Sequence, residues 1–360
     1  MTGRDPRPVL FTTNHVPPDR VGAFTALHER EGIELALYGG RSHHATAGVE
    51  DPGVPFRRVS QREVHALAAS GRYRAVVGST AGRIAPSAAR LGAWRAGVPF
   101  LMWWSLWAPV RSAAGIAGMP VVRGILRSSA AVVTYGTHAS AYARTLGARR
   151  TFEAPQAVDG AFWEQPGPDA ERPAPFVATF LGREDRAKGL WVAQQAWRAA
   201  GLPPAQAVLV LGGVGPAPAG SGAAGTTIRT GYLQPLAVRD VLTETDVLLI
   251  TSLHTPTFRE PWGLVVNEAF HQGVPVIASD EVGAVAGGLV QDGRNGLVVP
   301  SGDVEATAAA IRRLHDDPAL RATLGANARI DVQPYTYAAW AEGFSRALNA
   351  AGASRAGSPA

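Results

Sequence analysis

Short apolar runs alternate with helix-spaced segments along this chain, and the alternation occurs twice. Runs at 9–12, 33–38, 74–77, 98–103 and 131–135 are bounded by Gly, Pro or polar residues and read as buried strands. Segments at 21–30, 61–69 and 86–96 between them carry helical spacing. The pattern then restarts, with strands expected at 176–181, 207–211, 226–229, 247–250, 275–278 and 297–299, and helices at 190–200, 263–272 and 304–316. Strands alternating with helices build parallel sheets covered on both faces. The predicted fold class is α/β, two doubly wound Rossmann-like domains facing across a cleft. Between the halves stand Pro166, Pro168, Pro173 and Pro175, which neither a helix interior nor a central strand tolerates. The expected organisation is a domain over 1–165, a linker over 166–175, a second domain over 176–332 and a flexible tail over 351–360.

Composition removes several classes of chemistry. The chain has 360 residues and no cysteine, so disulfides, thiolate catalysis and cysteine-ligated metals are excluded. With 46% hydrophobic and 18% charged residues it can bury sizeable cores. Its net charge of +5 suits an anionic ligand, and no feature calls for nucleic acid as a partner. No stretch reaches the roughly 18–20 apolar residues that span a bilayer, and no signal segment is visible. A cytoplasmic location is expected, with membrane contact at most peripheral to the inner face.

Two loops concentrate the chemistry. In the first, Glu260-Pro-Trp-Gly-Leu-Val-Val-Asn-Glu268, Pro261 suits the first turn of a helix and Gly273 its stop. The N–H groups of Gly263, Leu264 and Val265 would then form an anion site. Glu260 and Glu268 suit sugar and ribose hydroxyls, since carboxylates accept hydrogen bonds. They fit equally well a helix-start acid favoured by the dipole and a solvated face. In the second, Phe180-Leu-Gly-Arg183-Glu-Asp-Arg-Ala-Lys188-Gly, Lys188 is the only lysine; the other 33 basic residues are arginines. A compact point charge in a strand-to-helix loop, with Arg183 nearby, suits a pyrophosphate leaving group.

These two segments, with 209–216, Gly231-Tyr-Leu, Asp292-Gly-Arg-Asn-Gly and Pro155-Gln-Ala-Val-Asp159, resemble in content and order the signatures of family 4 retaining glycosyltransferases of the GT-B fold. The resemblance covers 131 to about 329. It implies that Arg183 and Lys188 hold the diphosphate of a nucleotide-diphospho-sugar, which is co-substrate, with no cofactor and no metal. Glu260 would bind the donor sugar and Glu268 the ribose, Gly263 and Leu264 would supply N–H groups, and Tyr232 and Leu233 would hold the base. Gly22 would correspond to the glycine-rich loop closing on the phosphate. A helix over 333–350, with Trp340 and Phe344, would cross back onto the first domain. The implied reaction is metal-independent sugar transfer with retention to an acceptor hydroxyl. The acceptor is expected to be a small molecule or lipid-linked, a bacterial secondary metabolite or envelope precursor. The competing readings are a nucleotide-sugar epimerase of the same fold and a non-catalytic sugar-binding subunit.

The chain departs from the family pattern at three places. Ser105 stands where a histidine is common, Gly287 and Gly288 replace a region that often carries a glutamate, and the double glycine of the first loop is reduced to Gly22. Asn14, His15 and Arg20 are then the polar groups near that loop. Trp103, Trp104 and Trp107 read either as core or, with Ser105 and His15, as an acceptor-binding wall. His138 reads as a residue of a helix start. Arg57, Arg58, Arg62, Arg72 and Arg74 read as a solvated face rather than a membrane-facing one. The run Gly212-Gly-Val-Gly215 fails as a dinucleotide fingerprint because Pro216 and Pro218 follow. Adjacent His43 and His44 cannot share a helix face, so no metal site is expected.

Overall fold

The computed structural model describes residues 5–39, 49–168, 172–215 and 227–355. His43, His44, Pro216, Pro218, Thr226, residues 169–171 of the expected linker and the tail from 356 lie outside them.

The strands are β1 Val9–Thr13, β2 Ile33–Leu37, β3 Phe56–Arg58, β4 Ala75–Ser79, β5 Phe100–Trp104, β6 Ala131–Thr134, β7 Thr151–Glu153, β8 Phe176–Leu181, β9 Ala207–Gly212, β10 Thr227–Gly231, β11 Val247–Ile250, β12 Val276–Ser279 and β13 Gly296–Val299. The helices are α1 Val21–Glu31, α2 Glu63–Ala68, α3 Ala85–Ala96, α4 Ala113–Ser128, α5 Thr137–Thr145, α6 Gly160–Trp163, α7 Leu190–Ala200, α8 Pro235–Thr243, α9 Val265–His271, α10 Gly283–Ala286, α11 Val304–Asp316, α12 Pro318–Asp331 and α13 Tyr337–Ala350. They divide into two compact units, Met1–Asp159 with Tyr335–Ala360, and Gly160–Pro334.

The first unit holds a parallel sheet in the order β3-β2-β1-β4-β5-β6-β7. Strands β1, β4 and β6 are buried at every position, the mark of a sheet covered on both faces. The side-chain alternation of β5 distributes its residues between two cores. Leu101 and Trp103 join α1 and α13 through Phe24, Leu27, Trp340 and Phe344. Met102 and Trp104 join α2, α3, α4 and α5 on the other face. Thus α13, the last helix in sequence, packs into the first unit. Trp340 is fully buried, its ring 4.5 Å from that of Phe344 and 5.6 Å from that of Phe24.

The second unit holds a parallel sheet in the order β10-β9-β8-β11-β12-β13. On one face α7, α11 and α12 bury Ala193, Trp197, Ile311 and Leu324 against it. Its strand order reverses between β8 and β11. At such a switch point the loops leaving the two carboxyl ends diverge and make room for a ligand.

The division between units falls at Asp159/Gly160, ahead of the proline-rich stretch, because α6 packs on α9 and Gln272 Nε2 donates to the Gln165 carbonyl at 2.8 Å. The expected boundary at 165/166 is corrected accordingly. Gly22 is corrected as well. It lies in the first turn of α1 rather than in the preceding loop, and a Cβ there would come within 2.2 Å of the Tyr337 ring. The glycine admits the start of α13, whose Tyr337 hydroxyl donates to the Asp19 carbonyl at 3.2 Å. Gly22→Ala is expected to overpack this contact and lower the stability of the first unit by about 1–3 kcal/mol. A denaturant midpoint unchanged from the parent chain would contradict that role.

Candidate active site

The loop after β8 folds around its own side chains. The Asp185 carboxylate accepts the Ala187 N–H at 2.9 Å and starts a short 3₁₀ turn over Arg186–Lys188. Gly189 follows at φ +70°, in the left-handed region that favours glycine. The loop after β11 is stitched to it: the Leu253 N–H donates to the Ala187 carbonyl at 2.8 Å, and the Thr251 hydroxyl to the Gly189 carbonyl at 2.9 Å. A Cβ on Gly189 would lie 1.8 Å from the Thr251 carbonyl oxygen, so only glycine permits this approach.

The stitching brings the sole lysine to an acidic partner 72 residues away. Lys188 Nζ donates to Glu260 Oε2 at 2.5 Å, and the Ser252 hydroxyl donates to the same oxygen at 3.0 Å. The Lys188 ammonium also lies 5.5 Å from the centroid of the Phe258 ring, within cation–π range. Glu260 is 6% exposed, while the Lys188 side chain keeps 24% of its surface open. Ser252 is in turn fixed from below, its carbonyl accepting from the Ser279 hydroxyl at 2.5 Å. Sequence reasoning missed Ser252 and Phe258; the signal for Ser252 was its place just past the carboxyl end of a central strand.

Glu260 does not begin a helix. Glu260 makes an isolated bridge to Val282, and the turn that follows is held by the Gly283 N–H donating to the Glu260 carbonyl at 3.0 Å and the Ala284 N–H to the Trp262 carbonyl at 2.8 Å. Pro261 is therefore not a first-turn residue, and α9 starts at Val265, two residues later than expected. Gly263 makes the turn at φ +87°, and a Cβ there would sit 3.8 Å from Glu260 Cγ. Trp262 is buried and donates through Nε1 to Asn267 Oδ1 at 2.8 Å, pinning the turn to α9. Among the described residues no backbone carbonyl accepts from the N–H of Gly263, Leu264 or Val265. Glu268 is half-buried on α9.

The other candidates fall into place unevenly. Arg183 is largely exposed and faces Asp185 at 3.9 Å. Tyr232 is exposed beyond β10, and Leu233 packs at Gly212. Gly212 and Gly213 are explained by close packing: the Gly182 N–H donates to the Gly212 carbonyl at 3.0 Å, and a Cβ on Gly213 would meet the Gly182 carbonyl at 2.7 Å. Among the described residues no three His, Asp or Glu side chains gather as a metal site.

In the first unit, His15 and Ser105 are half-buried. Arg20 is buried, donates to Gln156 and lies 5.9 Å from the Tyr135 ring centroid. Trp103 and Trp104 do not form a wall. Trp103 sits in the aromatic core, 5.6 Å from Phe11 and 5.9 Å from Trp340, and Trp104 points to the opposite face of the sheet at 3% exposure. Trp107 meets His138 edge-on at 5.2 Å, and His138 lies in the first turn of α5. Arg57 and Arg72 pair with Glu34, and Arg74 is buried against Glu31 at 2.6 Å, so these arginines are spent on local pairs.

The residues of the second unit also match known proteins. Residues 175–317 match the family model of Glycosyl transferases group 1. The matched stretch contains Arg183, Lys188, Glu260 and Glu268. A D-inositol 3-phosphate glycosyltransferase of Kineococcus radiotolerans is 31% identical over 195 residues, 48% of this chain and 43% of that protein. A capsular polysaccharide biosynthesis glycosyltransferase, CapM of Staphylococcus aureus, is 41% identical over 78 residues, 22% of this chain and 20% of that protein. The matched stretches thus span less than half the length of these relatives. Among solved structures, Anabaena HepE in complex with UDP superposes with a TM-score of 0.76 at 17% identity, covering 95% of this chain and 99% of that one. A sucrose-phosphate synthase of Thermosynechococcus elongatus gives 0.71 at 20% identity, covering 95% and 98%. The fold is that of the GT-B glycosyltransferases.

The Asp292-Gly-Arg-Asn-Gly segment serves the architecture of the second unit. Arg294 donates to both Asp331 carboxylate oxygens, at 2.9 and 2.8 Å, and fully buried Asn295 donates to Asp331 at 2.9 Å and to the Leu289 carbonyl at 2.8 Å. The Arg294 hydrogen bonds hold the Asp331 carboxyl below its ordinary range, with Asn295 adding to them. A depressed folded pKa contributes stability that is full above the unfolded value, about 4, and is lost as pH falls through the folded one. Asp331→Asn is expected to flatten the acid limb of the thermal midpoint below about pH 4. An acid limb identical to the parent's would contradict it.

Proposed function

We propose that the chain is a retaining, metal-independent glycosyltransferase of family 4 that moves a sugar from a nucleoside-diphospho-sugar to an acceptor hydroxyl. The observation that carries this reading is the convergence of Lys188 and Glu260 where the strand order of the second sheet reverses, with Gly263 against the Glu260 side chain. An ammonium and three N–H groups suit a diphosphate, and a carboxylate fixed by a lysine and a serine suits the hydroxyls of the sugar beside it. Arg183, on the same loop, reaches the diphosphate from the solvent side. Glu268 holds the ribose, and Tyr232 and Leu233 frame the base. The complexes of HepE with UDP and with UDP-glucose, and the relatives named for sugar transfer, support a donor of this class.

In the reaction the acceptor oxygen forms a bond to the anomeric carbon as the bond to the phosphate oxygen breaks. The acceptor proton passes to the departing diphosphate, and the acceptor oxygen attacks from the same face that the diphosphate leaves, which preserves the configuration. Lys188, Arg183 and the turn at Gly263 lower the barrier by meeting the charge that develops on the leaving group. No protein nucleophile is required. The acceptor is a small molecule or a lipid-linked alcohol of envelope or secondary metabolism.

The purified chain, given nucleoside-diphospho-sugars and a panel of alcohols, is expected to release nucleoside diphosphate only when an acceptor is present. Proton NMR of the product should show the donor's anomeric configuration, and a chelator should not lower the rate. Interconversion of donor sugars without nucleotide release would instead identify an epimerase.

A further inference from the structure

From residue 64 to residue 152 the chain has eleven arginines and not one Asp or Glu. This stretch includes α3 and α4, which pack side by side in the first unit, with Arg90 donating to Ser128 across the contact. Only Ile125 and Leu126 of the sixteen residues of α4 are buried, although its sequence is mostly Ala, Gly, Ile, Val, Met and Leu. A helix so apolar and so little covered is unusual at a water-facing surface. Its exposed side chains include Ile116 at 65% and Val121 at 55%. On α3, Leu91 and Trp94, with Ile84 just before the helix, recur at helical spacing on its outer side, at 47%, 73% and 48% exposure. Arg95, Arg111, Arg123 and Arg127 are exposed around them.

We infer that the α3–α4 face docks on an anionic lipid bilayer. Apolar and tryptophan side chains ringed by arginines suit the boundary between acyl chains and anionic headgroups. No helix among the described residues is long and apolar enough to cross the bilayer, so the contact lies along its surface. A second copy fits less well, because a twofold pairing through this face would set arginine against arginine. Nucleic acid would match the charge and leave Ile84, Leu91, Ile116 and Val121 without apolar partners. The inference is independent of the sugar-transfer reading, since docking is measured without donor or acceptor.

The test is co-sedimentation of the full chain with vesicles of phosphatidylcholine alone and of phosphatidylcholine mixed with phosphatidylglycerol. Binding is expected only to the mixed vesicles, weakening as salt is raised. Arg123→Ser with Arg127→Ser should weaken it by about 10- to 30-fold. Trp94→Ser with Val121→Ser should weaken it by about 10-fold or more, with the thermal midpoint unchanged because both side chains are exposed. Failure to bind mixed vesicles would overturn the inference, as would binding that neither pair of substitutions alters. A dimer that the Trp94 and Val121 pair separates, or salt-sensitive binding to single-stranded DNA in place of vesicles, would overturn it in favour of that occupant.

Discussion

Lys188→Ala is expected to lower turnover by about 100-fold or more at saturating donor, the loss that follows removal of one preorganised stabiliser of developing charge. The effect has two parts. The leaving diphosphate loses the ammonium, and Glu260, 6% exposed, loses the cation that holds its Oε2 at 2.5 Å. The second part is separable. Glu260→Gln keeps a hydrogen-bonding group for the sugar and leaves Lys188 charged, so it should impair donor-sugar discrimination more than diphosphate binding. Lys188→Arg should not restore the rate, because a planar guanidinium cannot occupy the slot between the Phe258 ring and Glu260 as a compact ammonium does. Near-normal turnover of Lys188→Ala would remove Lys188 from the chemistry.

Gly189→Ala should produce the largest change in stability. The new Cβ would fall 1.8 Å from the Thr251 carbonyl oxygen, a backbone atom that cannot turn aside, and the residue would be held at φ +70°. Overpacking and left-handed strain each cost about 1–3 kcal/mol, so a loss of about 3–5 kcal/mol is expected. For a unit of this size that lowers the thermal midpoint by roughly 10 °C. Separating the β8 and β11 loops also moves Lys188 from Glu260, so residual folded protein should be poorly active. Wild-type stability and turnover together would show that the approach of the two loops is not needed.

The central strands were legible because parallel strands buried on both faces are continuous apolar runs. The edge strands β3 and β7 were not: each has three residues and none is buried, so their sequences resemble loops. The site was legible where chemistry is local. Lys188 stood out by being the sole lysine, and Glu260 by its spacing from Glu268. The start of α9 was misread because the hydrogen bonds that hold residues 260–262 out of a helix come from 283 and 284, which local helix signals cannot reveal. The packing demand at Gly22 was not legible for the same reason, since the Tyr337 ring that a Cβ there would meet is more than 300 residues away. For Trp103 and Trp104 residue type fitted core and ligand wall alike, and only the alternation of β5 assigns each to a core.

The most direct measurement is a structure of the chain with a nucleoside diphosphate bound. The account predicts phosphate oxygens within hydrogen-bond distance of Lys188 Nζ and of the N–H groups at 263–265, with the ribose at Glu268. A nucleotide seated elsewhere on the second unit, with Lys188 still closed on Glu260, would contradict it.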